Sequence, residues 1–210
     1  MLDYFENFPN NIKAIGLNLS GGVDSAFSLY CLLKTIHDKG YKTKVYPIHG
    51  VDVAWPDHKS WEKATEVYNW IVNKFNILKL DNRVHPISIF PFEKKTDVNK
   101  IEFFAPVFQY MKRRYDIEEV IFSDTQGMPD SPRPTDDASM LLDYQKKNPL
   151  RYPLAHVNKQ FIADQYKQLG IQELSNITAS CITGLHPPCK KCWWCNERKW
   201  AFGTYDGGVD

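Results

Sequence analysis

The sequence predicts an α/β protein, a parallel sheet with helices on both faces, followed by a small C-terminal region built on cysteines. Three observations predict it. Short apolar runs of strand length alternate with longer stretches of helical periodicity through residues 12–123, the pattern of parallel strands joined by crossover helices. Two adjacent glycines, Gly21 and Gly22, stand where the first apolar run meets the first helical stretch. Four of the five cysteines, Cys181, Cys189, Cys192 and Cys195, fall together near the C-terminal end.

The elements follow in order. Residues 12–19 read as the first strand and 26–36 as a helix apolar on most sides, with Gly40 as its stop. Residues 44–49 read as a second strand, against which Pro47 argues. Ser60 can cap a helix to residue 75, whose Trp61, Ala64, Tyr68, Ile71 and Phe75 keep helical spacing. Residues 83–90 form the third strand. Residues 99–114 form a helix with the stripe Ile101, Phe104, Phe108 and Met111, and 119–123 form the fourth strand. Beyond it come a helix over 136–146 and an extended connector over 150–157. Asn158 then caps a helix carrying Phe161, Ile162, Tyr166 and Leu169, which Gly170 ends. The glycine-containing residues 203–210 read as a disordered tail.

The 210 residues, 43% of them hydrophobic, suffice for one cored domain with an appendage. The expected division is a main domain over 1–175, a cysteine knuckle with a terminal helix over 176–203, and a tail over 204–210. A formal net charge of +1 gives no bulk attraction for nucleic acid. No apolar run approaches the roughly 20 residues that span a bilayer. The first residues lack the basic start and apolar stretch of a signal peptide. A soluble cytoplasmic protein is therefore expected, and a reducing compartment turns clustered cysteines toward metal rather than disulfides. Cys31, on the apolar first helix, reads as a core residue.

At the first strand-to-helix turn lies Ser20-Gly21-Gly22-Val23-Asp24-Ser25. Adjacent glycines permit positive φ and close approach of an anion to backbone amides. A helix start adds unsatisfied N–H groups and the positive end of its dipole. Asp24 or Ser25 can cap that helix. No Gly-Lys-Ser/Thr follows, so this is not the lysine-containing nucleotide loop. The six residues resemble the pyrophosphate loop, Ser-Gly-Gly-x-Asp-Ser, of the N-type ATP pyrophosphatases of the PP-loop superfamily, with its adenine nucleotide alpha hydrolase-like fold. Members split ATP between its α and β phosphates and adenylate an oxygen of the second substrate. The resemblance implies that Leu19, Ser20, Gly21, Gly22, Val23, Asp24 and Ser25 hold ATP. It gives Ser20, Asp24 and Ser25 catalytic roles, with Mg2+ held by the phosphates and by Asp24. His49-Gly50-Val51-Asp52 resembles, in position, the segment whose backbone holds the adenine; the plainer reading of His49 is a histidine satisfied within the protein. Asp124-Thr125-Gln126-Gly127 follows the fourth strand and would face the same crevice, since ligands of such sheets bind beyond the carboxyl ends of strands.

Three prolines make 128–134 a rigid loop. There Arg133 can clamp a carboxylate or phosphate and Asp130 can accept from a base edge or an amine, unless both are solvated surface charges. The spacing C-x7-C-x2-C-x2-C of Cys181, Cys189, Cys192 and Cys195 suits a closed four-thiolate zinc site, with an iron–sulfur cluster, a redox-active cysteine pair or buried cysteines without metal as the alternatives. Trp193, Trp194 and Trp200 either stack a base or wrap the knuckle, and packing is the expectation.

The loop and the cysteine cluster together resemble the 7-cyano-7-deazaguanine synthase family. Residues 153–181 add weaker support, with a Pro-Leu, a helix with a lysine near its start, and a run into the first cysteine. The family implies a cytoplasmic enzyme of queuosine biosynthesis, often a homodimer, that turns 7-carboxy-7-deazaguanine and ammonia into the nitrile at the expense of ATP. The chain departs from that pattern in two places. It lacks the family's Pro-Gly-Arg-Asn after the third strand, and it has Pro129-Asp130-Ser131-Pro132-Arg133 where the family has Tyr-Pro-Asp-Cys-Arg. Both departures fall where the second substrate would lie. Two other classes fit the same signals: a PP-loop enzyme activating RNA for thiolation, and a non-catalytic zinc-bearing binding module.

Overall fold

Four parallel strands form the sheet of the computed structural model, which describes residues 3–52, 60–75, 83–92, 100–131, 138–148, 150–183 and 187–210. After a short helix α1 (Asp3–Glu6), β1 (Ala14–Asn18) takes the middle of the sheet. Helix α2 (Val23–Asp38) crosses to β2 (Lys44–Asp52), and α3 (Ser60–Phe75) precedes β3 (Ser88–Phe92). Helix α4 (Lys100–Tyr115) precedes β4 (Glu119–Ile121), which pairs with the other side of β1. The order is β3-β2-β1-β4 among the described residues. The chain therefore reverses direction of growth across β1, and the carboxyl end of β1 is the switch point where α/β sheets bind ligands.

Alternation along the strands serves two cores. Ile15, Leu17, Val45 and Ile121 point to one face, against α2, α3 and the C-terminal helices. Ala14, Tyr46, Ile48 and Val120 point to the other, against Met111 of α4. Helices thus cover both faces, as two-sided burial of parallel strands requires. A Cβ on Gly16 would stand 2.6 Å from Val120, so β1 and its neighbours close up on the second face only over a glycine. No helix among the described residues is long and apolar enough to cross a membrane.

The prolines of the sheet explain where the third strand departs from expectation. Val84 bridges Val45 alone, and the ladder resumes at Ser88 opposite Ile48. The offset between the two strands grows by one residue across Pro86, so the expected 83–90 strand is broken there and runs on to Phe92. Pro47 sits inside β2, paired with Leu17 on the β1 side, and its missing N–H falls at this same interruption. In α3, Ala64, Val67, Ile71 and Val72 are buried, whereas Trp61 is exposed. The side chains of Ile101, Phe104 and Phe108 lie outside the described residues.

The C-terminal part is helix α5 (Ala138–Lys147), α6 (Lys159–Gln168), α7 (Gln172–Ile177) and α8 (Trp193–Phe202). Asn158 caps α6 as expected, accepting from the N–H of Phe161 at 3.1 Å. The connector before it is turned rather than extended. Pro153 takes the second place of a turn closed by Ala155 N–H onto the Tyr152 carbonyl, where its fixed φ suits it. The last residues are ordered, against the expectation of a disordered tail. Asp206 is buried and accepts from the N–H groups of Ser180 and Cys181, each at 2.8 Å, and the Tyr205 N–H donates to Val209. One buried carboxylate with two backbone partners is enough to anchor a polar segment.

Candidate functional site

The glycine loop joins the carboxyl end of β1 to α2 at the switch point. Its hydroxyls close on one another. The Ser20 N–H and hydroxyl both donate to Ser25 Oγ, at 3.1 and 3.0 Å, Ser20 Oγ accepts from Gly22 N–H, and Ser25 donates to the Gly22 carbonyl. Ser25 is buried while Ser20 is exposed at the loop's rim. Gly21 has φ +83°, and a Cβ there would stand 2.9 Å from the Ala64 nitrogen of α3, so only glycine lets the loop and α3 come this close. The N-cap of α2 is Gly22, with no side-chain cap. The expectation that Asp24 or Ser25 caps this helix is therefore corrected: Ser25 is spent inside the loop and Asp24 turns elsewhere. First-turn amides of α2 have no intrahelical acceptor, and no side-chain cap is made at Gly22 among the described residues, so the positive end of the helix dipole lies at the loop.

Asp24 turns to Lys159. Its Oδ2 lies 3.3 Å from the lysine Nζ, and the same Nζ lies 2.5 Å from Glu197 Oε2. Lys159 is 4% exposed, Glu197 0% and Asp24 16%. At such burial an isolated charge would be prohibitive, and the three hold one another. Asp24 Oδ1 is buried with no hydrogen-bond partner among the described residues. The lysine offsets part of the aspartate's charge and is shared with Glu197, so the group as a whole keeps one negative charge. Lys159 and Glu197 belong to no expected site. The signal for Lys159 was available: it shares the buried stripe of α6 with Ile162, Ala163 and Tyr166, where a cation needs a partner. Glu197 had only its place two residues after Cys195.

Leu19 is buried, with its N–H on Ile48 and its carbonyl accepting from His49 Nδ1 at 2.7 Å. That acceptor places the hydrogen on Nδ1, and Ser60 Oγ lies 3.0 Å from Nε2. Both ring nitrogens are thus engaged within the protein, so a part for His49 in holding a cofactor would fall to its backbone. Thr125 is buried and Gln126 bridges Asn158, which brings residues 124–127 beside the start of α6. Asp130 is exposed in the turn closed by the Met128–Ser131 bridge. Arg133 lies outside the described residues. Arg151 pairs with Glu119 at 2.9 Å.

The four cysteines come together. The sulfurs of Cys181, Cys189, Cys192 and Cys195 all lie within 4.8 Å of one another, with Cys189 and Cys195 at 3.9 Å. A tetrahedral zinc with bonds of about 2.3 Å separates its sulfurs by about 3.8 Å, so donor set and spacing fit one such ion. Amides of Lys191 and Cys192 hold the Cys189 thiol down at about 6, which favours its thiolate, while burial pushes Cys192 and Cys195 up. A divalent ion offsets that cost. Arg198, fully buried, braces the cluster: it donates to Thr178 Oγ1 and the Ser175 carbonyl, at 2.7 and 2.6 Å, and lies 3.6 Å from Asp206. Trp193 and Trp194 meet edge to face, and Trp193 Nε1 donates to the Ser131 carbonyl at 3.0 Å, which ties Trp193 to the proline-rich loop. Cys31 is buried in the core, with its thiol pushed well up by burial.

Fold and site define an α/β protein with a glycine loop at the switch point of a parallel sheet and a cluster of four cysteines beside it. No protein-family model matches the chain, and no curated protein does. Among solved structures it is similar to "Structure of NMN synthetase from Francisella tularensis", at 13% identity, over 94% of this chain and 80% of that one, with a TM-score of 0.45. A likeness of that degree carries no argument about chemistry.

Proposed function

We propose that this protein is an ATP-dependent adenylating enzyme, a carbon–nitrogen ligase similar to 7-cyano-7-deazaguanine synthase. The observation that carries the proposal is the open first turn of α2 behind Gly21 and Gly22, with the Lys159–Asp24 pair at its side. In this reading residues 19–25 receive the phosphates of ATP. Backbone amides and the helix dipole stabilise the charge that grows on the departing pyrophosphate, which needs no nucleophilic side chain. In this reading Lys159, held by Glu197, steadies Asp24 beside the phosphates. Mg2+ arriving with the nucleotide supplies further neutralisation, and Asp24 Oδ1 is the protein oxygen suited to it.

The second substrate in this reading is a 7-carboxy-7-deazaguanine-like acid, met by Asp130 and Arg133 of the proline-rich loop. Its carboxylate oxygen attacks the α-phosphorus and pyrophosphate leaves. Ammonia then displaces AMP to give the amide. A second adenylation, on the amide oxygen, and loss of AMP and a proton give the nitrile. The four cysteines hold Zn2+ in a structural role. The division into residues 1–175, 176–203 and 204–210, a cytoplasmic location and a homodimer belong to the same reading.

The test is product analysis by mass after incubation with Mg-ATP, ammonium and 7-carboxy-7-deazaguanine. Amide and nitrile are expected. AMP and pyrophosphate without either product would keep the adenylation and discard this acid. The RNA-thiolation alternative would place an iron–sulfur cluster on the cysteines. Sulfurs within 4.8 Å favour a single ion instead, because a multi-iron cluster holds its thiolates farther apart.

A further inference from the structure

Helix α8 leaves the cysteine cluster directly, since Cys195 lies in its first turn. Two side chains four residues apart on one face of it reach two different segments. Trp193 Nε1 holds the turn at Ser131, and Glu197 Oε2 holds Lys159 at 2.5 Å, which in turn meets Asp24 of the glycine loop at 3.3 Å. A second route runs through the backbone. Arg198 fixes Thr178 and Ser175, Asp206 fixes the amides of Ser180 and Cys181, and between them the Ala179 N–H donates to the Gly21 carbonyl at 3.0 Å. The loop at the amino-terminal end of α2 is therefore held by the segment entering the cluster and by the helix leaving it.

We propose that Glu197 is a positioning residue that couples metal occupancy of the four-cysteine cluster to the order of the glycine loop and to its affinity for nucleoside triphosphate. The nucleotide half of this inference rests on the function proposed above; the coupling to loop order does not. A metal ion fixes where α8 starts, α8 fixes Glu197, and Glu197 fixes Lys159, the buried lysine beside the loop. Without that anchor Lys159 still has Asp24, but it is free to follow it away from the loop's open amides. Partners beyond the immediate ligands commonly control a site's affinity in this way.

The test compares wild type with Glu197→Gln, both zinc-loaded, by amide hydrogen exchange of residues 20–25 and by calorimetric titration with Mg-ATP. Glu197→Gln leaves one lysine against one aspartate, so it strands no uncompensated charge. Expected are full zinc content, exchange in residues 20–25 faster by about tenfold, and ATP affinity weaker by about tenfold. Chelating the zinc from wild type is expected to speed exchange in the same residues. Unchanged exchange at full zinc content overturns the proposal. If Glu197→Gln loses zinc or fails to fold, Glu197→Asp decides, since it keeps the charge and draws it back from Lys159. Faster loop exchange at full zinc supports the coupling, and wild-type exchange overturns it. If wild type binds no ATP, the proposed function fails, and the exchange measurement still decides the coupling.

Discussion

Lys159 Nζ stands 3.3 Å from Asp24 Oδ2, joining the first turn of α6 to the first turn of α2 where the glycine loop opens. The contact ties the loop's aspartate to a lysine that Glu197 also holds, so two carboxylates share one cation beside the glycine loop. Asp24→Ala is expected to lower pyrophosphate release from ATP by about a hundredfold or more. Zinc content should stay at the wild-type level, because Lys159 keeps Glu197. Wild-type turnover in this variant would remove Asp24 from the chemistry.

Gly21→Ala tests the loop's close approach to α3. A Cβ at φ +83° carries a backbone cost of about 1–2 kcal/mol, and this one would also meet the Ala64 nitrogen at 2.9 Å. The expected result is a lower denaturant midpoint together with weaker ATP binding. A variant as stable as wild type would mean that the loop does not pack on α3.

Cys189 reports on the metal centre through its thiol, held at about 6 by backbone amides. In zinc-stripped protein its alkylation by iodoacetamide should rise with pH through a midpoint near that value. A folded-state value below the ordinary one contributes stability that is fully present above the ordinary thiol range and is lost as pH falls through about 6. Zinc affinity should fall over the same acid range, since metal binding needs thiolates. Cys189→Ser should lower zinc occupancy and melting temperature together; a fully metallated variant of wild-type stability would exclude it as a ligand.

Asp206→Ala removes the partner of buried Arg198 and of two amides next to Cys181. Breaking such a buried pair from one side costs about 3 kcal/mol or more. Thermal unfolding and zinc affinity should both fall. If only the final residues loosen, the C-terminal turn is not part of the cluster's support.

The strands, the crossover helices and the cysteine centre were legible because each is a local pattern: apolar runs, the Asn158 cap, a spacing of thiols. In the sequence alone Pro47 argues against its strand and Pro86 stands unremarked inside the third, and only the paired strands show that the two interruptions coincide. Lys159 is there only a lysine near a helix start with no site role, and Glu197 and Asp206 do not stand out, because a charge reads as surface until the fold supplies its partners. Their partners come from α2, α6, α8 and the Ser180 and Cys181 amides, mostly far apart in sequence. The tail was misread for the same reason, since Asp206 looks solvated beside three glycines and a tyrosine until Cys181 is brought to it.

The most direct measurement is the phosphorus product released from ATP by the zinc-loaded protein with magnesium, ammonium and 7-carboxy-7-deazaguanine. The loop's place at the end of β1, its open amides and the Lys159–Asp24 pair predict pyrophosphate and AMP. Release of inorganic phosphate and ADP, or no cleavage with ATP bound or unbound, would contradict the assignment of residues 19–25 to pyrophosphate.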